Sequence, residues 1–290
     1  MNKVVITGAN GFVGRHLLNH LVSKRFGEIY ATSLNEDRYP GEGYFFLEVD
    51  LTEKEQVDFI INRIKPDFII NTAALSSIPA CEENPEEARI INTEAVRYLA
   101  EAAETNGSRL IQISTDFVFN GKHSVPYNEF DSVSPINVYG RTKADAEKLV
   151  TEILPQDSAI LRIAVVYGQS LEGQHSNIVE LISNKLNYGE EITLVNDQWR
   201  TPTYVGDICY AIEQAMKHKA TGIYHITGSE LFTIHALGVY IAQLLRCDPS
   251  LIIATTSNDE LRPAYTPLSN EKAKETLGYT TISIEQYLGG

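Results

Sequence analysis

Short apolar runs alternate with amphipathic segments through the first half of this 290-residue chain. The run Val4–Thr7 is typical of a buried strand, and a helical pattern with Leu17, Leu18, Leu21 and Val22 on one side follows it. Further strands are predicted at Ile29–Leu34, Tyr44–Val49, Phe68–Thr72, Leu110–Thr115 and Ile160–Val166, with helices at Glu53–Ile64, Glu86–Thr105 and Ile136–Leu154. This alternation predicts an α/β fold in which helices cover both faces of a doubly wound parallel sheet.

After about residue 167 the pattern becomes less regular. The predicted elements there are helices at Ser176–Tyr188, Asp207–His218 and Ile234–Arg246 and strands at Ile192–Val195, Ile223–Thr227 and Leu251–Ala254. We interpret residues 168–290 mainly as a smaller lobe, with strands from about 192–227 returning to the sheet of residues 1–167. Ligands of such sheets bind at the carboxyl ends of the strands, so a lobe that covers these ends is expected to bind substrate.

Three glycines, Gly8, Gly11 and Gly14, separate the first strand from the first helix. In this context the first permits a tight turn, the second lets the backbone approach a pyrophosphate, and the third allows close helix–sheet packing. The helix N-terminus offers unpaired N–H groups to the anion. The alternative is a glycine-rich turn that binds nothing. The strand–turn–helix order favours a Rossmann-type dinucleotide-binding domain over residues 1–167.

Tyr139 and Lys143 are four residues apart on a predicted helix and therefore share one face of it. A neighbouring ammonium is expected to lower the pKa of the phenol and to make it usable in proton transfer. Ser114 and Thr115 end a predicted strand, so either hydroxyl is a candidate to bind a substrate carbonyl beside Tyr139. A solvated helix face and a strand-end cap are the alternatives.

Other polar and small residues bear on the cofactor. Asn71–Ala74 ends a strand with small side chains, which suits close approach of a nicotinamide riboside. Asn92 is either a buried polar link to Lys143 or an ordinary helix asparagine. An acid at the end of the second strand would bind an adenosine ribose and repel a 2′-phosphate, but Ser33 stands there. Arg38 is placed to reach a phosphate, although Asp37 is its neighbour, so we predict a preference for NADP(H) over NAD(H).

The net charge of −14 argues against nucleic-acid or membrane-surface binding, which needs basic patches. Three widely spaced cysteines without metal-ligand spacing predict a reduced, cytoplasmic protein. The start of the chain leaves no room for a signal sequence before the first strand, and no apolar run approaches membrane-spanning length. The histidines, among them His16, His175, His225 and His235, show no metal-ligand spacing, so no metal site is predicted.

Taken together, the chain resembles the extended short-chain dehydrogenase/reductase family over essentially its whole length. Within that family its motifs are most similar to those of dTDP-4-dehydrorhamnose reductases. The motifs that carry the resemblance are the three glycines, Asp50–Leu51, Asn71–Ala74, Asn92, Ser114–Gly121, Asn137–Lys143, Asp197–Gln198, Thr201–Asp207, and Arg262, Pro263, Leu268 and Lys272 near the end.

The resemblance implies a role for each matching residue. Tyr139 would be the proton donor, Lys143 would hold the nicotinamide ribose, and Thr115 would orient the keto oxygen. Asp50 and Leu51 would meet the adenine, although Asp50 is equally suited to cap the following helix. The implied cofactor-binding residues are Gly8, Asn10, Gly11, Phe12, Val13, Gly14, Ser33, Arg38, Asp50, Leu51, Thr72, Ala73, Ala74, Asn92, Tyr139 and Lys143.

A nucleotide-sugar substrate is implied as well. Asp116, Arg200 and Arg262 are the candidate substrate-binding residues, with Arg200 at the spacing of a pyrophosphate-binding arginine in similar enzymes. A solvated loop arginine is the alternative for Arg200. Trp199 departs from the small residue usual in the rhamnose-pathway reductases, which leaves the identity of the sugar open.

The expected reaction is reduction of a nucleoside-diphosphate 4-keto-6-deoxy sugar by hydride transfer. Similar dehydratases carry an Asp–Glu pair after the threonine, whereas this chain has Asp116 and Phe117. Phe117 cannot transfer a proton, so reduction fits better than removal of water. The alternatives are a nucleotide-sugar epimerase or dehydratase, and a non-catalytic cofactor-binding regulatory subunit. A homodimer is a further expectation.

Overall fold

A computed structural model describes residues 2–174 and 176–289 of the chain. His175, one of the histidines considered above, lies outside the described residues. The strands are β1 Asn2–Thr7, β2 Gly27–Ser33, β3 Phe45–Glu48, β4 Phe68–Asn71, β5 Arg109–Thr115, β6 Ser158–Ile163, β7 Val166–Tyr167, β8 Ile192–Val195, β9 Trp199–Arg200, β10 Thr203–Tyr204, β11 Gly222–Ile226, β12 Phe232–Thr233 and β13 Ile252–Thr255.

The α-helices are α1 Phe12–Ser23, α2 Lys54–Ile64, α3 Ile78–Glu83, α4 Pro85–Arg89, α5 Ala95–Asn106, α6 Val138–Ile153, α7 Ile178–Asn187, α8 Val205–Lys217, α9 Ile234–Leu245, α10 Glu271–Leu277 and α11 Ile284–Gly289. A π-helical turn, Ile90–Glu94, connects α4 to α5, so the predicted helix Glu86–Thr105 contains a widened turn at Asn92.

A seven-stranded parallel sheet in the order β11-β6-β5-β4-β1-β2-β3 forms the centre of the molecule. The chain runs outward from β1 in one direction and then from β4 in the other. The strand order therefore reverses between β1 and β4, which is where α/β sheets bind ligands. The predicted doubly wound Rossmann-type fold is confirmed.

Two apolar layers hold helices on the faces of this sheet. On one face α1, α8 and α10 bury residues such as Leu17, Ile212 and Leu277 against the strands. On the other face α2, α5 and α6 contribute residues such as Ile61 and Val150. Apolar side chains on both faces explain why the strands are almost continuously hydrophobic rather than alternating.

The predicted return of later strands to the sheet holds for one strand and is wrong for another. The strand β11 joins the sheet beside β6, whereas Ile192–Val195 pairs with β13 in a separate two-stranded sheet. The apolar side chains of this second sheet, including Leu194 and Ile252, pack against helices α7 and α9 instead. A division of the chain near residue 167 stays a prediction.

The predicted strand Ile160–Val166 is interrupted in the structure. It ends at Ile163, and Val165 has a φ of 39°, in the left-handed region that β-branched residues rarely adopt. The chain turns here toward β7, and Val165 and Val166 then line a cavity at the carboxyl end of the sheet. Such strained residues often lie at functional sites.

Candidate active site

The turn between β1 and α1 is built around close backbone contacts. Gly8 has a φ of +70°, and its carbonyl accepts a hydrogen bond of 2.9 Å from the N–H of Gly11. A Cβ atom on Gly14 would lie 2.3 Å from the same carbonyl oxygen. Gly11 is the N-cap of α1, and neither a side-chain cap nor an acid in the first turn competes for the helix N–H groups. These features fit a bound pyrophosphate.

A cavity of about 660 Å³ lies beside this turn. Its lining includes eight of the residues predicted to bind the cofactor: Gly8, Gly11, Ser33, Asp50, Leu51, Thr72, Ala73 and Ala74. The rest of the lining includes apolar residues that the motifs did not indicate, namely Leu34, Val49, Leu75, Ile90, Ile91 and Ala95. Only their position in the folded chain reveals them, because an apolar cavity wall has no fixed sequence spacing.

Some polar side chains at this cavity already form hydrogen bonds within the protein, and one has no hydrogen-bond partner among the described residues. The Asp50 carboxylate accepts hydrogen bonds from the N–H and hydroxyl of Thr52, at 2.9 and 2.7 Å, so it caps the turn as well as lining the cavity. The Thr32 hydroxyl is buried and has no hydrogen-bond partner among the described residues. A buried unpaired hydroxyl in a cavity wall suits a ligand that brings a polar group.

Asp37, the acid next to Arg38, does not line either cavity beside the glycine turn. The Asp37 carboxylate forms an ion pair with Arg15 and accepts hydrogen bonds from the Tyr44 hydroxyl, at 2.6 Å, and the Tyr39 N–H, at 3.0 Å. Arg38 itself is exposed, and within the described residues its side chain makes no ion pair. Its N–H donates to the Asn10 side chain at 3.1 Å, which ties this loop to the glycine turn. Neither Asn10 nor Arg38 is part of the cavity wall.

A second cavity, of about 350 Å³, lies at the carboxyl ends of β5 and β6. Gly11, Thr72 and Ala74 line both cavities, so the two are adjacent parts of one cleft. The predicted residues in the second part are Phe12, Val13, Gly14, Thr115, Asp116, Tyr139 and Lys143. The structure therefore brings the three predicted catalytic side chains to one space next to the glycine turn.

The pKa of the Tyr139 phenol is raised in the structure, whereas the sequence pattern predicted that it would be lowered. Burial raises its pKa above the ordinary value, a hydrogen bond with Thr115 lowers it, and the nearby carboxylate of Asp116 raises it further. The prediction that Lys143 lowers this pKa is wrong for the protein alone, because burial outweighs any such effect. Tyr139 accordingly remains protonated at neutral pH.

Lys143 is 3% exposed, and its ammonium donates to the carbonyl of Ile113 at 2.7 Å. Burial lowers its pKa to about 8, and the charge of Glu147 acts in the opposite direction. Asn92 is fully buried behind this helix, where its side chain bonds both backbone groups of Leu75 and the Thr142 hydroxyl at 2.8–3.1 Å. Asn92 thus links the loop at Leu75, which lines the cavity, to helix α6. Direct binding of the cofactor by Asn92 stays a prediction.

Asp116 and Arg200 form a buried pair, 4% and 2% exposed. The Arg200 Nε atom lies 3.8 Å from an Asp116 carboxylate oxygen, which also accepts a hydrogen bond from Thr266. The other Arg200 donors bond backbone carbonyls, including that of Pro263 at 2.7 Å. Arg200 is therefore neither a solvated loop residue nor directed at the cleft, and its role in diphosphate binding stays a prediction.

Arg262 is exposed and pairs with Asp259 at 3.1 Å. Both line a further cavity of about 380 Å³, together with Asp197, Gln198 and Glu260. Trp199 lies beside this region and is 40% exposed. Of the two predicted diphosphate arginines, Arg262 is the one whose guanidinium is accessible.

The start of helix α6, which carries Tyr139 and Lys143, is tied to the rest of the molecule on two sides. The Asn137 side chain caps the helix by accepting from the Gly140 N–H at 2.6 Å, and it donates to the carbonyl of Leu261 at 2.7 Å. The Glu82 carboxylate accepts from the Val138 N–H at 2.6 Å. Tyr139 is thereby fixed relative to the loop that carries Arg262.

Within residues 2–174 and 176–289, no cluster of His, Cys, Asp and Glu is arranged to hold a metal ion. In the same residues no helix has both the length and the apolar character needed to cross a membrane.

A family model described as the RmlD substrate binding domain matches residues 1–288. The chain belongs to the RmlD family. The expected membership of the extended short-chain dehydrogenases/reductases is confirmed by this match and by relatives of the chain, whose names also confirm the oxidoreductase class.

Relatives of this RmlD family member share most of its length. A Streptomyces niveus protein named dTDP-4-keto-6-deoxy-D-glucose reductase is 32% identical over 97% of this chain and 93% of its own. The dTDP-4-dehydrorhamnose reductase of Aggregatibacter actinomycetemcomitans is 33% identical over 97% and 92%. A more distant relative, methionine adenosyltransferase 2 subunit beta of Danio rerio, is 28% identical over 98% and 86%.

Among solved structures, the dTDP-4-dehydrorhamnose reductase of Bacillus anthracis in complex with NADP superimposes with a TM-score of 0.85. It is 26% identical, and the match covers 99% of this chain and 97% of that one. A nicotinamide dinucleotide therefore binds to a protein of this fold and family, which agrees with the cofactor class expected from the glycine turn.

Proposed function

We propose that this protein reduces the 4-keto group of a nucleoside-diphosphate 4-keto-6-deoxy sugar with NADPH. The observation that carries the proposal is the convergence of Thr115, Tyr139 and Lys143 on one cavity that continues into the glycine-lined cleft. The substrate class is supported by the names of the relatives, which are reductases of dTDP-linked keto or dehydro sugars.

The Tyr139 hydroxyl is the proton donor in this scheme. A reduced nicotinamide, when bound, supplies the hydride. Tyr139 then gives its proton to the new alkoxide, which is a far stronger base than a phenolate. The raised pKa of Tyr139 suits the reductive direction, because the hydroxyl is fully protonated before each turnover. Thr115, which shares a hydrogen bond with Tyr139, orients the keto oxygen.

Lys143 holds the cofactor in place and contributes a positive charge. Its ammonium has three donors, and one of them is taken by the Ile113 carbonyl. Because Lys143 lines the cavity, its other donors are available to the hydroxyls of a ribose. The positive charge also stabilises the phenolate that remains on Tyr139 after proton transfer.

The preference for NADP(H) is supported by the state of Asp37. Arg15, Tyr44 and Tyr39 occupy its carboxylate, so its charge is neutralised and it does not act as a free ribose-binding acid. The neighbouring Arg38 is exposed and uncompensated by Asp37. An unpaired guanidinium suits a 2′-phosphate, which it can bind through two donors at once.

Binding of the substrate diphosphate is assigned to Arg262, with a smaller part for Arg200. Arg262 is accessible, and among the residues that the structure describes its one ion-pair partner is Asp259, an exposed side chain that a diphosphate can displace. Arg200 fixes the position of the chain next to Arg262, because it donates hydrogen bonds to the carbonyls of Pro263 and Ala264, the two residues that follow Arg262.

Dehydration is disfavoured by the surroundings of Asp116. Both of its carboxylate oxygens are engaged, one by Thr115 and the other by Thr266 and Arg200. The next residue, Phe117, has no proton to transfer. A carboxyl group held in this way supports the site rather than protonating a leaving hydroxyl.

A regulatory subunit without turnover is the alternative, and one relative is named as a subunit, methionine adenosyltransferase 2 subunit beta. The intact set of Thr115, Tyr139 and Lys143 in one cavity favours an enzyme. A protein that only binds cofactor has no need for a proton donor beside the nicotinamide.

The test is incubation of the purified protein with NADPH and a dTDP-4-keto-6-deoxy sugar. Oxidation of one NADPH for each alcohol formed supports the proposal. Redox-neutral turnover would assign an epimerase or dehydratase, and cofactor binding without any product would assign a regulatory role. Parallel reactions with UDP- and GDP-linked sugars identify the base.

A further inference from the structure

A buried network of charged and polar side chains lies beneath Lys143. The Arg162 guanidinium contacts both carboxylate oxygens of Glu147, at 2.9 and 2.6 Å, and the Ser114 hydroxyl donates to the same carboxylate at 2.5 Å. A further Arg162 donor reaches the Nε2 atom of His225 at 3.3 Å. All four side chains are 5% exposed or less. The reaction scheme above uses none of Glu147, Arg162 and His225.

Strand register and helix spacing bring these residues together. Ser114 on β5 is opposite Arg162 on β6, and Arg162 is opposite His225 on β11. On the helix α6, Glu147 follows Lys143 by one turn, and Lys143 follows Tyr139 by one turn. The proton donor, the ammonium and the carboxylate therefore form one column on the helix face that packs against the carboxyl end of the sheet.

The column places opposite charges next to each other in a buried region. A buried ammonium is disfavoured by loss of hydration, and a carboxylate one turn away offsets part of that cost. Burial lowers the pKa of Lys143 to about 8, and Glu147 is the group that raises it. Without the Glu147 charge the ammonium would lose its proton at a lower pH.

The other titratable groups near Lys143 do not supply this negative charge. On its cavity side lie Tyr139, which remains protonated, and Asp116, whose carboxylate is not among the charges that shift the pKa of Lys143. Behind Glu147 lies Arg162, a cation, and then His225. Burial lowers the pKa of His225 to about 3, so this imidazole is neutral. Its Nδ1 atom is 3.2 Å from the Tyr127 carbonyl, which leaves Nε2 to accept from Arg162.

We propose that Glu147, held by Arg162 and Ser114 one helical turn from Lys143, is a positioning residue that keeps the Lys143 ammonium charged beside the cofactor site. This inference rests on the proposed function, since it assigns Glu147 a part in the same site. Arg162 and Ser114 fix the carboxylate in one orientation, and Arg162 offsets part of the cost of burying its charge.

The experiment measures the dissociation constant of NADPH and the kcat/KM of keto reduction between pH 6 and 9.5 for the wild type and Glu147→Gln. The substitution keeps the shape of the side chain and removes its charge. We expect the alkaline limb of both profiles to move to lower pH by one unit or more. Relative to pH 6.5, the activity at pH 8 then falls about fivefold further in the variant than in the wild type.

Two further variants separate this effect from a loss of stability. Glu147→Gln leaves Arg162 as a buried unpaired cation, so the double variant Glu147→Gln/Arg162→Gln removes both charges and retains groups that form hydrogen bonds. It is expected to move the alkaline limb in the same direction by a smaller amount, because the unpaired Arg162 charge no longer repels Lys143, and to recover the melting temperature. Glu152→Gln makes the same charge change on the exposed side of α6, where Glu152 lies 3.9 Å from Lys148, and it should leave both profiles unmoved.

An alkaline limb that stays at the wild-type pH in both Glu147 variants would overturn the inference. An equal shift in Glu152→Gln would overturn it as well, because the effect would then be one of net charge. Failure of the wild type to bind NADPH at any pH would instead refute the proposed function, and this inference with it.

Discussion

Replacing single glycines in the turn between β1 and α1 separates the packing of the fold from binding of the cofactor. Gly14→Ala would place a methyl carbon 2.3 Å from the Gly8 carbonyl oxygen, 2.7 Å from the Thr72 hydroxyl and 2.9 Å from the Gly8 carbonyl carbon. Gly11→Ala would place its methyl group 3.1 Å from the same Gly8 oxygen, which is tight but not prohibitive. Gly11 is exposed and lines both parts of the cleft.

The expected magnitudes follow from these distances. A carbon and an oxygen normally stay at least about 3.3 Å apart, so Gly14→Ala must push the backbone by roughly 1 Å. Overpacking of this kind costs about 1–3 kcal/mol, and weakening the 2.9 Å bond from Gly11 N–H to Gly8 adds about 1 kcal/mol. For a chain of this size, the melting temperature should fall by roughly 3–8 °C. Gly11→Ala should change it by no more than about 2 °C.

Cofactor affinity should respond the other way, with a larger loss in Gly11→Ala than in Gly14→Ala. The methyl group of Gly11→Ala projects into the space assigned to the pyrophosphate, so the dissociation constant of NADPH should rise on the order of tenfold or more. Thermal scans and titration by NADPH fluorescence measure the two effects on the same samples. Gly41→Ala is the control, because its methyl group meets only the Tyr44 ring at an ordinary 3.5 Å. Unchanged melting of Gly14→Ala, or unchanged affinity of Gly11→Ala, would refute this reasoning.

Two further predictions concern stability against pH and the choice of cofactor. Burial raises the pKa of Asp207 to about 6, despite a hydrogen bond from the Ile282 N–H that favours the charged form. Between about pH 4 and 6 the folded state therefore binds a proton that the unfolded state has lost. The protein consequently loses stability as the pH rises through that window. Asp207→Asn should therefore raise the free energy of unfolding by up to about 3 kcal/mol at pH 7.5 and by little at pH 4, as measured by urea unfolding. An equal effect at both pH values would contradict a raised pKa of Asp207. Arg38→Ser should weaken NADPH binding by roughly 10- to 150-fold while leaving NADH binding unchanged, because a charge-assisted bond to the 2′-phosphate is worth about 1.5–3 kcal/mol. A parallel loss of both affinities would show that Arg38 does not distinguish them.

Local sequence patterns were sufficient to predict the central parallel sheet, the helices that cover it and the glycine turn. The Gly8–Gly14 spacing and the four-residue interval from Tyr139 to Lys143 each reflect a local geometric requirement, so they can be predicted without the rest of the fold. Glu147 follows the same interval and could have been found by extending the column by one more turn. Its function depends on Arg162, however, and the register between strands that unites the two is not a local property.

Arg200 shows why other residues could not be placed from the sequence. An arginine in a polar loop is normally expected at the surface. Here the carbonyls of Pro263 and Ala264, more than 60 residues away, and the carboxylate of Asp116 supply partners that make its burial favourable. The pKa of Tyr139 has a similar explanation, because the extent of its burial is set by residues from several elements rather than by the nearby Lys143.

The central claim is that the Tyr139 hydroxyl gives the proton in reduction of a bound ketone, and Tyr139→Phe tests it most directly. The variant loses only one oxygen atom, so it should bind NADPH within about twofold of the wild type. Single-turnover reduction of a dTDP-4-keto-6-deoxy sugar should slow by a factor of about 10² or more, the usual contribution of a positioned proton donor. Reduction at the wild-type rate by this variant would contradict the account.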